Sequence, residues 1–477
     1  MKERVDTIIY GGHLFTMEGP GVGYLKNGAA AIADGRFAAV GEKKDILEKY
    51  CADEVIDGSG KMILPGFIDA HMHTSQTMMR GMAQDTKDWM MRGIEPLRYY
   101  LDSVQCIEAS KATVLEALAA GTTTFVEYAV PGHIRAMDEF YCSLGVRSIF
   151  TPLIYGMKKQ KKPELDVLYD LDDDASLQSL KESLQLKEKW KNRCGRISVM
   201  LGVHAPDTLS LDMLKYCKKA AESEGMKINM HVAQGSRETQ QMEKRYGLRS
   251  IPFLDSLGYL DKNLIAVHLT DATDEETVYA AKKGVSMVLC SGSIGIIDGI
   301  VPPAAVFQSA GGAVALGTDQ ASGNNCSQII NEMKLTALFN KIKYEDPEVM
   351  PAWKVLRMAT YEGAKALGME DEIGSVKAGK RADLVFIDLN AVTMMPVIET
   401  PYRNMVPNLI YSARGNEVCR VMVDGKTLFL KGNYLTADAN DILSVFRQKA
   451  EDFYERTDWG EEIKQTQGYL LQEKGML

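Results

Sequence analysis

The chain has 477 residues, of which 45% are hydrophobic and 25% charged, and its formal net charge is −9. A chain of this length and composition can bury a large core, so we expect one large domain with an accessory module. The acidic balance argues against a nucleic-acid-binding surface, and no segment approaches the roughly 20 apolar residues of a membrane span. Without the apolar stretch of a signal peptide, the sequence predicts a cytoplasmic protein with neither nucleic acid nor membrane as a partner.

The first predicted elements, in residues 1–64, are short strands separated by glycine turns. Within them, Asp34-Gly35 is a strong signal for a two-residue hairpin. The same pattern of short strands separated by glycine turns recurs in residues 375–436, where Asp424-Gly425 predicts another hairpin. The two ends of the chain are therefore expected to form one β module.

Residues 65–374 alternate short apolar runs with helical patterns, which is typical of a parallel sheet wrapped in helices. Eight runs qualify as strands and together predict a (β/α)8 barrel: MILPGFIDA, GTTTFVEY, RSIFTPLIY, RISVMLGVHA, KINMHVA, LIAVHLT, VSMVLCSG and AVALGTD. The amphipathic residues 437–477 predict a helical tail packed on the outside of the barrel.

The eight cysteines include no Cys-x-x-Cys pair. The sequence therefore suggests neither a zinc ribbon nor a disulfide framework. We expect most of these cysteines to be small buried apolar groups.

In a (β/α)8 barrel the active site lies at the C-terminal ends of the strands. His71 and His73 end the first predicted strand and, being two residues apart, leave the same face of it. His231, His268 and Asp319 end the fifth, sixth and eighth strands. Each alone has an ordinary explanation, such as a core histidine or a helix cap. Four of the seven histidines and a carboxylate at one predicted rim, however, indicate a metal site.

The chain resembles the amidohydrolase superfamily in an ordered set of segments: PGFIDAHMH, GTTTF, HAPDTLS, MHVAQ, AVHLT, ALGTD and GSVKAGKRADLVFID. The most similar branch contains the cytosine, guanine and S-adenosylhomocysteine deaminases and the triazine hydrolases. The resemblance runs to about Thr436 and implies an α/β protein, a (β/α)8 TIM barrel beside a small β-sandwich built from both chain ends. It also implies one divalent metal ion per chain, usually zinc or iron with zinc favoured, and a homodimer or larger homo-oligomer.

By this resemblance, His71, His73, His231 and Asp319 bind the metal together with a water molecule. The ion lowers the pKa of that water from about 16 towards 7. His268 and Asp319 orient the water and take its proton, the hydroxide attacks an electron-poor ring carbon, and Asp319 passes the proton to the leaving amine. The implied function is deamination of a nitrogen heterocycle such as a pterin, purine base, triazine or related amidine.

Gln234 departs from the family, whose deaminases have a glutamate three residues after the third histidine to protonate a ring nitrogen. An amide cannot transfer a proton, and losing a general acid costs about 10²- to 10⁴-fold in rate. The substrate could already carry a positive or easily polarised centre, or Glu238 or Glu127 could supply the proton. Alternatively, Asp319 alone handles the proton, as in hydrolysis of an amide-like C–N bond or loss of halide. A Gln234 side chain that only packs the loop is the remaining explanation.

Four further residues are predicted substrate contacts: His204, Trp89, Arg98 and Ser322. Trp89 matches an aromatic residue that commonly lines the pocket of relatives. Arg98 stands where adenosine-type relatives have a glutamate that binds ribose hydroxyls, which disfavours a nucleoside. The loops CSGSIGIIDG and QASGNN also depart from the family, so substrate recognition has been rebuilt. A non-catalytic scaffold is a remote alternative, because a scaffold has no use for an intact ligand set.

Overall fold

The computed structural model describes residues 1–19, 21–87, 89–158, 164, 166–191, 193–457, 464 and 466–476. Its strands are β1 (Glu3–Phe15), β2 (Tyr24–Ala33), β3 (Arg36–Glu42), β4 (Tyr50–Asp57), β5 (Lys61–Pro65), β6 (Phe67–His73), β7 (Thr122–Ala129), β8 (Arg147–Ile154), β9 (Ile197–Val199), β10 (Leu201–Val203), β11 (Ile228–Val232), β12 (Leu264–His268), β13 (Ser286–Leu289), β14 (Val314–Leu316), β15 (Asp319–Gln320), β16 (Leu384–Asp388), β17 (Val418–Val423), β18 (Lys426–Leu430) and β19 (Asn433–Tyr434).

The α-helices are α1 (Lys43–Lys49), α2 (Glu95–Tyr100), α3 (Ser103–Ala119), α4 (Pro131–Leu144), α5 (Asp173–Lys189), α6 (Leu211–Glu224), α7 (Gly235–Tyr246), α8 (Ser250–Ser256), α9 (Asp274–Lys282), α10 (Ser291–Ile297), α11 (Ala304–Ser309), α12 (Ala321–Asn324), α13 (Ile329–Lys343), α14 (Ala352–Met358), α15 (Tyr361–Leu367), α16 (Met405–Tyr411), α17 (Ala439–Arg456) and α18 (Gln467–Glu473). Short 3₁₀ turns span Thr74–Met79, Arg193–Gly195 and Val392–Met394, and a π-helical turn spans Trp89–Ile94.

The central sheet is a closed barrel of parallel strands. Strands β6, β7, β8, β10, β11, β12, β13 and β14 follow one another as neighbours, and β15 pairs with β6. In that pairing Asp319 is in register with Met72, and Gln320 with His73. The predicted TIM barrel is confirmed, and its closure brings the ends of the first and eighth strands together.

The barrel strands were predictable because both of their faces are covered. Every residue of β7, β8, β11 and β12 is buried, and these strands are rich in apolar residues, although β7 (TTTFVEYA) and β11 (INMHV) also bury polar ones. The run MILPGFIDA differs, since it divides at Gly66 into β5 of the outer sheet and β6 of the barrel. A Cβ at Gly66 would lie 2.1 Å from Thr123 Oγ1, so only glycine fits this crossing.

The second sheet joins the two chain ends. Its order is β19-β18-β17-β16-β5-β1-β2-β3, with β4 paired to β1. One hydrophobic cluster contains Phe37 of β3 and Met422 of β17, so distant parts of this sheet share a core, as in a sandwich. Asp34 and Asp424 have φ of 52° and 47° and precede glycines with φ of 73°, as two-residue hairpin turns require.

Helix α17 packs on the outside of the barrel against α3. Its Phe453 is fully buried beside Met78 and Met79, and Arg456 forms an ion pair with Asp102 at 2.9 Å. Within the described ranges, no helix is both long enough and apolar enough to cross a membrane.

The cysteines differ from the expectation. Cys142 of α4 and Cys194 are joined by a disulfide, which no sequence spacing indicated. Only two of the free cysteines, Cys217 and Cys290, are buried, so the expectation that most would be buried is wrong.

Candidate metal centre and active site

Three histidine nitrogens converge at the C-terminal rim of the barrel. The Nε2 atom of His71 lies 3.1 Å from that of His73 and 3.1 Å from that of His231, and the last two are 3.4 Å apart. Zinc–nitrogen bonds of about 2.0–2.1 Å at tetrahedral angles separate ligand nitrogens by about 3.4 Å. Asp319 Oδ1 lies 3.5 Å from His73 Nε2 and 3.7 Å from His71 Nε2, and all four residues are buried.

The opposite nitrogens of these histidines show which atoms carry protons. Each Nδ1 faces a carbonyl oxygen, so each Nδ1 donates and each Nε2 presents a lone pair. In the order His71, His73 and His231, the acceptors are Asn229 Oδ1 at 3.2 Å, Tyr128 O at 3.0 Å and His204 O at 2.7 Å. Three lone pairs that point at one another cannot hydrogen bond among themselves. The donor set therefore fits a cation at their meeting point.

Burial keeps the three rings in the neutral form that binds metals. Desolvation, followed by the neighbouring histidines, lowers the pKa of His71 and His73 well below the ordinary value. Desolvation lowers the pKa of His231 to about 4. Near neutral pH each Nε2 is thus unprotonated and available as a ligand.

The two carboxylate oxygens of Asp319 face different groups. Oδ1 lies toward the histidine nitrogens, whereas Oδ2 accepts a hydrogen bond from Ser293 Oγ at 2.6 Å and lies 3.9 Å from His268 Nε2. Both ring nitrogens of His268 are buried and have no hydrogen-bond partner in the described part of the chain. Burial raises the pKa of Asp319 to about 7. The two oxygens are therefore placed so that Oδ1 can hold an ion while Oδ2 exchanges a proton with a water molecule beside His268.

The strand ends that carry these groups adopt left-handed backbone conformations. The φ angles are 80° at His268, 58° at Asp319 and 52° at Ala233, just before Gln234. Such conformations cost non-glycine residues about 1–2 kcal/mol each, and they concentrate at functional sites. Asp69 supports this region, since its carboxylate accepts hydrogen bonds from Thr318 N at 3.0 Å and Thr318 Oγ1 at 2.6 Å.

A cavity of about 300 Å³ opens beside the third histidine strand and contains two of the sequence-predicted residues. Its lining includes Trp89, Gln234, Arg237 and Asp298. Trp89 Nε1 donates a hydrogen bond to Asp298 Oδ1 at 3.2 Å. The side-chain amide of Gln234 makes no hydrogen bond to another described residue, so it is available to a ligand.

The predicted contacts His204 and Arg98 lie together on another side of the site. Thr208 Oγ1 lies 3.0 Å from His204 Nδ1, and the same hydroxyl donates to a backbone carbonyl, so Nδ1 carries the proton and Nε2 the lone pair. The ring of Tyr155 contacts both residues, with its centroid 4.5 Å from the His204 ring and 5.2 Å from the Arg98 guanidinium. Arg98 is also paired with Glu95.

Ser322, the fourth predicted contact, is placed differently. Its side chain is fully buried, and its hydroxyl lies 2.9 Å from Gln76 Oε1 and 2.7 Å from Gln320 Oε1. Helix α12 starts immediately after β15 and turns this hydroxyl onto the Thr74–Met79 turn. Ser322 is not in the lining of the cavity described above, and direct contact with a substrate stays a prediction.

The two glutamates considered as replacement acids both accept hydrogen bonds from the surrounding protein. Glu238 is fully buried and accepts hydrogen bonds from Ala233 N at 2.7 Å, Gln234 N at 2.9 Å and the Ser250 hydroxyl. Glu127 is also buried and accepts one from Tyr141 Oη at 3.0 Å. Sequence reasoning missed Asp298, although its loop, CSGSIGIIDG, was noted as a departure from the family.

Three known proteins show what the chain is similar to. A 5-methylthioadenosine/S-adenosylhomocysteine deaminase of Moorella thermoacetica is 33% identical over 429 residues, covering 89% of this chain and 94% of the relative. A 5'-deoxyadenosine deaminase of Methanosarcina mazei is 30% identical over 467 residues, covering 95% and 99%. The solved structure of a zinc-bound adenosine deaminase from Xanthomonas campestris matches with a TM-score of 0.86 at 27% identity, covering 95% and 100%.

The sequence profile of the Amidohydrolase family matches residues 62–428, from β5 to β18. This match includes every barrel strand and all four proposed metal ligands. It confirms the resemblance seen in the ordered sequence segments. The chain belongs to the amidohydrolase family.

Proposed function

We propose that the protein is a metal-dependent aminohydrolase that deaminates a nitrogen heterocycle such as a pterin, purine base, triazine or related amidine. The observation that carries the proposal is the convergence of three histidine Nε2 atoms and Asp319 Oδ1 at the barrel rim, next to a cavity of about 300 Å³. The deaminase relatives, which cover nearly the whole chain, support it. Zinc is the proposed ion, as in the similar adenosine deaminase structure, with iron as the alternative.

The chemistry follows from the placement of the side chains. His71, His73, His231 and Asp319 would hold a divalent ion, which would lower the pKa of water towards 7 and so supply hydroxide near neutral pH. Asp319 Oδ2, held by Ser293 and facing His268, takes the proton of the attacking water. The same carboxyl group then delivers this proton to the leaving amino group, so oxygen remains on the ring carbon and ammonia departs.

The substrate ring is proposed to lie between Trp89 and Gln234 on one side and His204 on the other. His204 offers an Nε2 lone pair, and Gln234 offers an amide that can donate or accept. The Arg98 guanidinium lies beside the ring of Tyr155, which also contacts His204, and this places Arg98 near the proposed ring position. These contacts would orient the ring without transferring a proton to it.

The presence of an amide instead of an acid at position 234 favours a second candidate function, which is hydrolysis of an amide-like C–N bond or loss of halide. Such reactions need no acid at position 234, because Asp319 alone can handle the proton. The two candidates differ in their products. Deamination releases ammonia, whereas the alternatives release a carboxylate from a cyclic amide or a halide ion.

The test is to incubate the zinc-loaded protein with aminated, halogenated and cyclic-amide heterocycles, including adenosine derivatives, guanine, pterin and aminotriazines. We expect ammonia from at least one amino compound, and loss of that activity after chelation. Release of halide or ring opening without ammonia would favour the second candidate. Failure to release ammonia from any amino compound would count against deamination.

The resemblance to the superfamily also supports a homodimer or larger homo-oligomer in the cytoplasm as part of the proposal. Sedimentation equilibrium measures the oligomeric state directly. A monomer at micromolar concentration would contradict it.

A further inference from the structure

The cavity beside the metal centre has a strong excess of negative charge. Its described charged residues are three carboxylates and one guanidinium, namely Glu164, Asp166, Asp298 and Arg237. The guanidinium is already neutralised, because Arg237 forms an ion pair at 2.7 Å with the fully buried Asp207. The carboxylates therefore determine the potential that a ligand meets in the cavity.

Asp298 is the carboxylate held most firmly in this cavity. Trp89 Nε1 donates to its Oδ1 at 3.2 Å, while its Oδ2 is buried with no hydrogen-bond partner among the described residues. A Cβ built on Gly235, the neighbour of Gln234, would lie only 3.6 Å from Asp298 Oδ1. The Asp298 carboxylate therefore lies beside the segment that carries Gln234, and the indole of Trp89 forms an aromatic side of the cavity.

Helix α10 connects this carboxylate to the metal centre. Ser293, in the first turn of α10, holds Asp319, and Asp298 is the residue that ends the helix. Five residues of helix separate the two positions by about 7.5 Å along the axis. A heterocycle attacked beside Asp319 can therefore extend to Asp298 with its far edge.

We propose that this cavity is a subsite for an organic cation, with Asp298 as the counter-ion and Trp89 as the aromatic wall, so that the substrate is a positively charged amino-heterocycle or amidinium. Carboxylates and indole faces are both favourable partners for nitrogen cations. Desolvation raises the pKa of Asp298, and a cation bound beside the carboxylate would favour its ionised form.

This inference rests on the proposed deamination and explains Gln234. A ring that is already protonated draws electrons from the attacked carbon, which is the effect that a protonating glutamate provides for a neutral ring. Water adds its oxygen to that carbon, the C–N bond to the amino group breaks, and the products are the ring carbonyl compound and ammonium. The positive charge of the substrate leaves on the ammonium, so no proton has to come from position 234.

A matched pair of probes tests the subsite without any turnover. Benzylammonium and benzyl alcohol have almost the same shape but differ in charge, neither has an electron-poor C–N carbon that water could attack, and their affinities for the zinc-loaded protein can be measured by calorimetry. We expect benzylammonium to bind at least about tenfold more tightly, as a charge-assisted contact predicts. Equal affinities in the wild-type protein would overturn the proposal, whatever the variants do.

The variant Asp298→Asn should lose about tenfold in benzylammonium affinity while keeping its benzyl alcohol affinity. Asp166→Asn is the matched control, because it removes the same charge from an exposed position in the same cavity lining and should have a smaller effect. An unchanged preference in Asp298→Asn, or equal losses in both variants, would contradict the assignment. Cation selectivity without ammonia release from any amino compound would refute the proposed deamination and leave the subsite standing.

Discussion

Ser293 Oγ donates a hydrogen bond to Asp319 Oδ2 at 2.6 Å, which leaves Oδ1 of the same carboxylate 3.5 Å from His73 Nε2. The two oxygens are thereby separated into one that faces the ligand nitrogens and one that faces His268. The serine comes from α10 and the aspartate from the end of the eighth barrel strand. Their contact fixes which oxygen is available to exchange a proton.

Replacing Ser293 by alanine should lower kcat/KM about tenfold, equivalent to about 1.4 kcal/mol, because Asp319 loses the hydrogen bond that orients it. Zinc content should stay at the wild-type level, since Oδ1 still faces the histidines. Ser291→Ala is the control, because Ser291 lies in the same helix as Ser293 but its hydroxyl contacts Thr336 Oγ1 of α13 at 2.7 Å. Equal losses in both variants would show that Ser293 acts only by supporting the helix.

His73→Ala should weaken zinc binding by at least about 100-fold, because losing a ligand costs more than losing a group that merely orients one. The measurement is zinc affinity by competition with a chromophoric chelator, with circular dichroism to confirm folding. His13→Ala provides the control, since His13 contacts Tyr24 Oη in the outer sheet at 2.9 Å. Wild-type zinc affinity in His73→Ala would contradict the ligand assignment.

Gln234→Glu should change substrate preference by restoring an acid beside His231. General acids contribute about 10²- to 10⁴-fold, so kcat/KM for neutral amino-heterocycles should rise relative to that for cationic ones. Gln240→Glu adds the same charge at an exposed position in the cavity lining and serves as the comparison. If Gln234→Glu leaves kinetics unchanged across all substrates, the side chain at this position only packs the loop.

The buried carboxyl group of Glu127 should make the free energy of unfolding depend on pH. Desolvation raises its pKa in the folded protein from 4.5 to about 7, so its contribution is fully present below the unfolded value and is lost as pH rises through about 7. The loss amounts to as much as about 3 kcal/mol. Urea unfolding as a function of pH should therefore show Glu127→Gln gaining stability relative to wild type between acidic and mildly alkaline pH. A difference between the two proteins that does not vary with pH would refute this.

The barrel and the convergence of the four proposed ligands could be predicted because their physical causes are local in the sequence. Strands buried on both faces are rich in apolar residues, and a residue at or next to the end of a strand, such as His231 or His268, is placed on the rim by topology alone. Exact boundaries were harder, since Gly66 separates two sheets within one apolar run.

The cavity could not be predicted in the same way, because it depends on contacts between distant segments. Asp298 becomes significant only when Trp89 donates to it from another loop. Glu238 lies in the first turn of α7 and accepts hydrogen bonds from the backbone of Ala233 and Gln234, and the left-handed conformation of Ala233 was not indicated by the sequence. The helix that begins directly after β15 packs the Ser322 hydroxyl against Gln76 and Gln320, which the sequence did not indicate, and the contact of Ser322 with a substrate stays a prediction.

The most direct test of the central claim is ammonia release by the protein before and after metal removal, with metal content measured on the same samples. The account predicts about one divalent ion per chain, ammonia from at least one amino-heterocycle, loss of this activity on chelation and recovery with added zinc. Metal content well below one ion per chain in a fully active sample would contradict it. So would a zinc-loaded protein that releases ammonia from none of the amino compounds.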